Sequence, residues 1–272
     1  MLNLKSAVLF KKVSYCESDE QVEQESSGRT EQTIKSHSSS FTPQYFPEAV
    51  FSFNLEGRVC AFLIIVTKLK LSFFDIDETL LVKDEDYIPA TVVPAIRKLK
   101  ENGIVPAIAT GRTLSNFPPK IKGLIEQTDM NLFVTMNGQY VSYQNEPIGK
   151  HPLSKAKIQE FVDFCDQHQI VYAQVSPTDT AVSAITDQVR DALDLLKGHY
   201  HVDKDYFKHH DVFQILAFYD ATQDQFVQDS GVLKGLQSVR WHKYSVDLFD
   251  EKISKVRVSL VQFNILALQW KM

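Results

Sequence analysis

The sequence predicts an α/β protein: a doubly wound parallel sheet with helices on both faces, into which a second, mixed α/β unit is inserted. Three observations predict it. Leu69–Phe74, Ile104–Ala109 and Leu132–Thr135 are short apolar runs without alternation, the pattern of strands buried on both faces. A helical segment separates the first two runs, which implies a parallel crossover. Beyond about residue 149 the rhythm changes to interleaved helices and strands over about 100 residues, too many to be a loop.

Residues 17–45 read ESDEQVEQESSGRTEQTIKSHSSSFTPQY, rich in Glu, Gln and Ser. Such a stretch buries too little apolar area to offset its ordering entropy, so it is expected to be disordered. Residues 1–66 as a whole are expected to form a poorly ordered N-terminal extension. Leu69–Phe74 then ends abruptly in Asp75-Ile76-Asp77-Glu78-Thr79. A helix is expected over 91–102: Thr91 caps it, Pro94 lies in its first turn, Val92, Val93, Ile96 and Leu99 share a face, and Gly103 stops it. The second strand, Ile104–Ala109, ends in Thr110-Gly111-Arg112, and the third, Leu132–Thr135, ends near Asn137-Gly138.

In the later part, 154–169 is an amphipathic helix with Ile158, Phe161, Val162 and Cys165 on one face. Strands are expected at 170–175, 181–185, 213–219 and 240–249, a helix at 187–197 stopped by Gly198, and a weaker helix at 223–236. The expected division is therefore 67–148 for the first part of the core, 149–249 for the inserted unit, and 250–272 for the start of the return to the core.

Composition narrows the function classes. With 44% hydrophobic and 23% charged residues, most of the 272-residue chain is expected to be globular. Acidic residues outnumber basic ones by 34 to 29, a net charge of −5, and no run of five Lys or Arg occurs. That argues against nucleic acid as a partner, though not against a small phosphate pocket. The longest wholly apolar run, Val59–Val66, has eight residues where a membrane-spanning helix needs ~20, so no membrane partner is expected. Cys16, Cys60 and Cys165 are odd in number and lack metal or redox spacing. Residues 1–15 contain an apolar stretch only at 7–10, shorter than the ~7–15 residues of a secretory core. Both features predict a reducing, cytoplasmic setting. The oligomeric state is left open.

In parallel sheets ligands gather at the carboxyl ends of the strands. Here those ends carry Asp75 and Asp77, then Thr110 and Arg112. Two carboxyl groups two residues apart suit a hard cation such as Mg²⁺, which takes oxygen ligands and shares them with phosphate. A Thr hydroxyl, the following glycine N–H and a nearby cation suit phosphate oxygens. The pattern points to phosphoryl transfer. Its plain alternative is a turn in which Asp caps backbone N–H groups; Thr-Gly-Arg at the next strand end and Ser254-Lys255 far downstream favour the chemical reading.

FFDIDETLL (73–81) and AIATGRT (107–113) resemble the first two motifs of the haloacid-dehalogenase-like (HAD) phosphatases, most closely the large-cap Cof-type (class IIB) subgroup. MNGQYV (136–141) is similar to the Asn-Gly segment after motif two, and VDLFDEKISK (246–255) to the approach to the motif-three lysine. Where many relatives have Gly after the second Asp, this chain has Glu78. The resemblance implies a Rossmann-like core with an inserted α/β cap, and a Mg²⁺-dependent phosphatase acting on small phosphorylated metabolites. It implies Asp75 as nucleophile forming an aspartyl-phosphate, with Mg²⁺ on the Asp75 side chain and the Asp77 carbonyl. Asp77 would be the acid and base, Thr110 and Gly111 the phosphoryl cradle, and Lys255 the charge-neutralising cation. Arg112 and Asn137 fall on the substrate side, with a structural ion pair as the alternative for Arg112.

The family pattern continues into a fourth, acidic motif. Residues 256–272, VRVSLVQFNILALQWKM, contain no Asp or Glu, and 74 residues precede Asp75. The expectation is a chain truncated before motif four, with an unnatural beginning and a shifted or interrupted end, and with activity impaired by weaker Mg²⁺ binding. Asp247, Asp250 and Glu251 are the nearest remaining acids and are assigned to the cap boundary. Rival readings are a catalytically impaired protein that binds phosphorylated ligands, an interaction protein working through its N-terminal tail, and a phosphomutase. His199, His201, His209 and His210 read as a polar cap loop, with a zinc site as the alternative, and Trp241, His242 and Tyr244 as secondary candidates for substrate contact.

Overall fold

Three apolar runs become neighbouring parallel strands. The computed structural model describes residues 11–13, 48–53, 59–66, 69–82, 85–196 and 199–255. Residues 17–45, expected to be disordered, and 256–272, expected to be a truncated return, lie outside the described residues, as does Gly198. The first sheet contains β1 (Lys11–Val13), β2 (Glu48–Phe53), β3 (Val59–Val66), β4 (Leu69–Phe74), β5 (Ile104–Ala109), β6 (Leu132–Thr135), β7 (Tyr140–Tyr143) and β8 (Glu146–Lys150), in that spatial order. Only β4–β5 and β5–β6 pair in parallel; every other neighbour is antiparallel. The expected parallel sheet is thus a parallel centre with antiparallel wings. The wing at β1–β3 lies in the stretch 1–66 read as poorly ordered. The eight consecutive apolar residues of β3 have the strand propensity to pair along the whole of β4.

α1 (Val92–Glu101) joins β4 to β5, and α2 (Pro119–Thr128) joins β5 to β6. Thr91 occupies the N-cap position of α1, but its backbone is helical and its side chain makes no capping bond, unlike the expected cap. Ile96 of α1 and Ile121 and Leu124 of α2 are buried against Ile76, Leu80, Ile108 and Phe133. Both of these helices therefore cover one face. Stepping β4 to β5 to β6 in one direction through right-handed crossovers returns each helix to the same side. On the alternate face Phe73, Ala107 and Val134 are equally inaccessible to solvent, which is why these strands carry no polar alternation.

The second sheet has the order β11 (His201–Val202), β10 (Thr180–Val182), β9 (Val171–Val175), β12 (Gln214–Phe218), β14 (Ser245–Asp250), β13 (Leu236–His242). The strand expected over 240–249 is a hairpin of β13 and β14, turning at Lys243-Tyr244. α3 (Lys155–His168) starts at Ser154, whose hydroxyl accepts the Lys157 N–H, a cap worth about 1 kcal/mol. Ile158, Phe161, Val162 and Cys165 bury one face of this sheet, together with Tyr172, Ile215 and Leu248. The other face is covered by α4 (Asp187–Leu193) through Val189, Ala192 and Leu193, and by Met136 and Tyr140 from the first sheet's side. That second interface sets the inserted sheet over the ends of β5 and β6. Among the described residues no helix is long and apolar enough to cross a membrane.

Candidate active site

At the end of β4 the chain leaves the sheet through Asp75. Its Oδ1 accepts the Ile76 N–H at 2.8 Å, which fixes the carboxylate against its own turn. Its Oδ2 accepts from Lys255 Nζ at 2.8 Å, with the two side chains about a quarter exposed. Residues 180 positions apart are thus joined. Asp77 lies one turn further on, and both its oxygens are held by Arg112: Nε to Oδ2 at 2.9 Å and Nη2 to Oδ1 at 2.8 Å. The guanidinium is nearly buried and also donates to the Asn116 carbonyl at 3.3 Å. A two-point fork of this kind fixes direction as well as charge. The sequence leaves Arg112 between a substrate contact and an ion pair; the fold makes the ion pair.

The β5 end forms the second wall. The buried Thr110 hydroxyl accepts the Arg112 N–H at 3.2 Å, and the Thr110 carbonyl accepts the Asn137 N–H at 3.1 Å. Gly111 lies so close to the Asn137 amide that a Cβ there would stand 3.2 Å from its Oδ1. Asn137 has φ 58°, which its short amide tolerates better than most side chains. Gly138 follows at φ 100°, and here glycine is required sterically: a Cβ would lie 2.7 Å from the Ser254 carbonyl carbon and 2.9 Å from the Lys255 N. The Asn-Gly pair is therefore the seat on which the Lys255 backbone rests. Glu78 also has a positive φ, 58°, a left-handed conformation that glycine adopts without strain.

Three contributions to the site arise from packing that the sequence does not show. Thr113 Oγ1 lies 2.7 Å from the Pro177 carbonyl and 2.9 Å from that of Ser176, tying the loop after Arg112 to the β9–β10 turn of the second sheet. The steric demand at Gly138 appears only when residue 254 is folded back onto it. Asp247 on β14, read as a cap-boundary acid, lies beside the site and accepts from Asn137 Nδ2 at 3.4 Å. Burial pushes its carboxyl up to about 7, with Trp241, Asn137, Lys255 and Gln214 pulling it back. His201 instead faces Asp179 at 3.3 Å and His210 stacks on Tyr206, away from these acids. Trp241 packs beside α4 and lies next to Asp247.

Among the described residues no group of three or more His, Cys, Asp and Glu is placed to hold a metal ion. The groups that the resemblance names for a metal, the Asp75 carboxylate and the Asp77 carbonyl, offer oxygen only. That small, hard set fits Mg²⁺, which keeps waters and shares substrate phosphate, and not a thiolate- or imidazole-seeking metal.

Known proteins resemble this chain in sequence and in fold. A bifunctional phosphatase/peptidyl-prolyl cis-trans isomerase, so named, of Streptococcus pyogenes serotype M6 is 31% identical over 189 residues, covering 69% of this chain and 39% of that protein. YkrA of Bacillus subtilis strain 168, named as a phosphatase, is 29% identical over 191 residues, covering 68% of this chain and 70% of that protein. The chain thus spans well under half of the streptococcal relative. Among solved structures, the HAD subclass IIB sugar phosphatase BT4131 superposes with a TM-score of 0.62 at 22% identity, over 71% of this chain and 75% of that one, and has the same fold. The model of the haloacid dehalogenase-like hydrolases matches residues 72–263, so the chain belongs to that family.

Proposed function

We propose that this chain is a Mg²⁺-dependent phosphatase that hydrolyses small phosphorylated metabolites through a phosphoryl group carried on Asp75. The observation that carries this reading is the Lys255–Asp75 contact at 2.8 Å beside the Thr110–Gly111–Asn137 wall. The phosphatase names of two relatives support it.

An Asp75 oxygen attacks phosphorus, and the bond from phosphorus to the substrate's bridging oxygen breaks. Like charges oppose that approach. Lys255 offsets part of the repulsion; the Asp75 carboxylate and Asp77 carbonyl would hold Mg²⁺, which would supply further charge neutralisation. The Asp77 carboxyl gives its proton to the departing oxygen. Water then attacks the phosphorus, Asp77 takes its proton, and the phosphorus–Asp75 bond breaks to release inorganic phosphate. The Arg112 fork suits Asp77 as the base of the second step; donating the proton in the first requires one arm of that fork to open. Thr110 and the Gly111 N–H hold the non-bridging oxygens, and the inserted sheet, seated through Met136 and Tyr140, covers the reacting atoms.

A second reading, a phosphate-ligand-binding protein with impaired turnover, is favoured because among the described residues no three His, Cys, Asp or Glu side chains are placed to hold a metal ion. Assaying p-nitrophenyl phosphate hydrolysis in millimolar Mg²⁺ and in EDTA, with Asp75→Asn alongside, separates the two. The phosphatase reading expects Mg²⁺-dependent phosphate release that is lost in D75N. Binding of inorganic phosphate without turnover selects the second reading, and turnover unchanged in D75N removes the proposed nucleophile.

A further inference from the structure

We propose that Asp247, on the inserted sheet, is a positioning residue for the phosphoryl site, acting through the Asn137 side chain on the Thr110–Gly111 cradle. This rests on the phosphatase reading and adds to it a residue that touches neither the phosphoryl group nor the metal.

Three observations carry it. Asp247 lies directly opposite Leu216 in the β12–β14 pairing, so it shares the face of the second sheet that Leu216 packs with Met136 and Tyr140. It is 8% exposed, and a carboxyl group buried to that degree costs several kcal/mol unless polar neighbours hold it. The neighbour from the first sheet's side is Asn137, whose Nδ2 donates to Asp247 Oδ2 at 3.4 Å.

Asn137 is tied at every other point to the reacting end of the molecule. Its N–H is fixed to the Thr110 carbonyl at 3.1 Å, its amide lies against Gly111, and its successor Gly138 bears the Ser254–Lys255 backbone. An amide has a donor edge and an acceptor edge. Holding the NH₂ toward Asp247 decides which edge Gly111 and an adjoining phosphate oxygen meet. Without the carboxyl group the amide rotates, and both the cradle and the support of Lys255 loosen together.

The test uses the full chain with Asp247→Ala, Asp247→Asn, Asn137→Ala and the D247A/N137A double variant. Each is measured for kcat and KM on p-nitrophenyl phosphate, for inorganic phosphate affinity by calorimetry, and for thermal unfolding. D247A is expected to lower kcat and phosphate affinity by about tenfold or more, in the range seen when an orienting partner is lost. D247N keeps an acceptor oxygen in the same place and is expected to recover to within about threefold of wild type. In the N137A background, D247A is expected to add less than about twofold, because the two groups act as one unit. Independent, multiplying effects of D247A and N137A overturn the inference, as does a D247N variant as impaired as D247A while equally folded. The binding arm separates this from the phosphatase reading. If wild type binds phosphate with the same variant pattern but turns nothing over, the positioning role stands and the phosphatase reading fails. If neither turnover nor phosphate affinity responds to D247A, the positioning role fails.

Discussion

Replacing Gly138 with alanine places a Cβ 2.7 Å from the Ser254 carbonyl carbon and 2.8 Å from its oxygen. Ordinary contact begins near 3.4 Å, so the two backbones must separate by about 0.7 Å. The alanine must also hold φ 100°, where an L side chain costs about 1–2 kcal/mol, and overpacking against backbone adds about 1–3 kcal/mol. The segment pushed away carries Lys255, whose Nζ stands 2.8 Å from Asp75. Its flexible stem recovers part of the reach, but a displacement approaching 1 Å at a positioning group costs roughly 10- to 100-fold in rate. Gly138→Ala is therefore expected to lower kcat by that factor and to lower Tm. Because the damage travels through Lys255, Gly138→Ala combined with Lys255→Ala should be little worse than Lys255→Ala alone. The assay is p-nitrophenyl phosphate hydrolysis with thermal unfolding followed by circular dichroism. A G138A chain with lowered Tm and wild-type kcat, or a double variant in which the losses multiply, refutes the reasoning.

Other substitutions read separate parts of the account. The Asp247 carboxyl sits at about 7 in the folded chain and at 3.8 when unfolded, so between those values the folded chain keeps a proton that the unfolded one releases. Its contribution to stability is complete below the unfolded value and is lost as pH rises through about 7, a change on the order of 4 kcal/mol. Urea unfolding should therefore show Asp247→Asn gaining on wild type between about pH 4 and about pH 7, with no further gain above; a pH-independent difference contradicts the burial argument. At Glu78, glycine should be more stable than alanine by about 1 kcal/mol, since both lose the side chain and only glycine relieves the positive φ; equal melting temperatures would argue against strain there. Arg112→Lys replaces a two-point fork by a single donor and should lower kcat by about tenfold with a smaller change in KM; an unchanged kcat would leave the fork without a role in orienting Asp77.

The parallel centre of the first sheet was legible because β4, β5 and β6 are short apolar runs with no competing period, and their boundaries match the residues that signal them. The helices at 91–102 and 154–169 were legible for the complementary reason: apolar residues recur at helical spacing and a residue with positive φ ends or follows each, Gly103 and Gln169. The β13–β14 hairpin merged into one strand because its Lys243-Tyr244 turn lacks the Gly, Asn or Asp that marks a tight reversal. Gly123 within α2 weakened the helical signal over Pro119–Thr128, which was not expected as a helix at all. At the site, residue types and motif spacing singled out Asp75, Asp77, Thr110, Gly111, Arg112, Asn137 and Lys255. They could not reveal that Arg112 spends its fork on Asp77, that Gly138 is held by a backbone contact, or that Asp247 reaches Asn137. These are facts of packing between segments distant in sequence, from 35 to more than a hundred positions apart, and no local period encodes them.

The central claim is that the Asp75 carboxylate carries the phosphoryl group. The direct test is rapid acid quenching of the chain during turnover of p-nitrophenyl phosphate, followed by mass spectrometry of its peptides. The account predicts one phosphoryl group on the peptide containing Asp75, absent from Asp75→Asn and discharged when water is allowed to react before the quench. A chain that turns over while phosphorylated at another residue, or whose D75N variant turns over as fast as wild type, contradicts it.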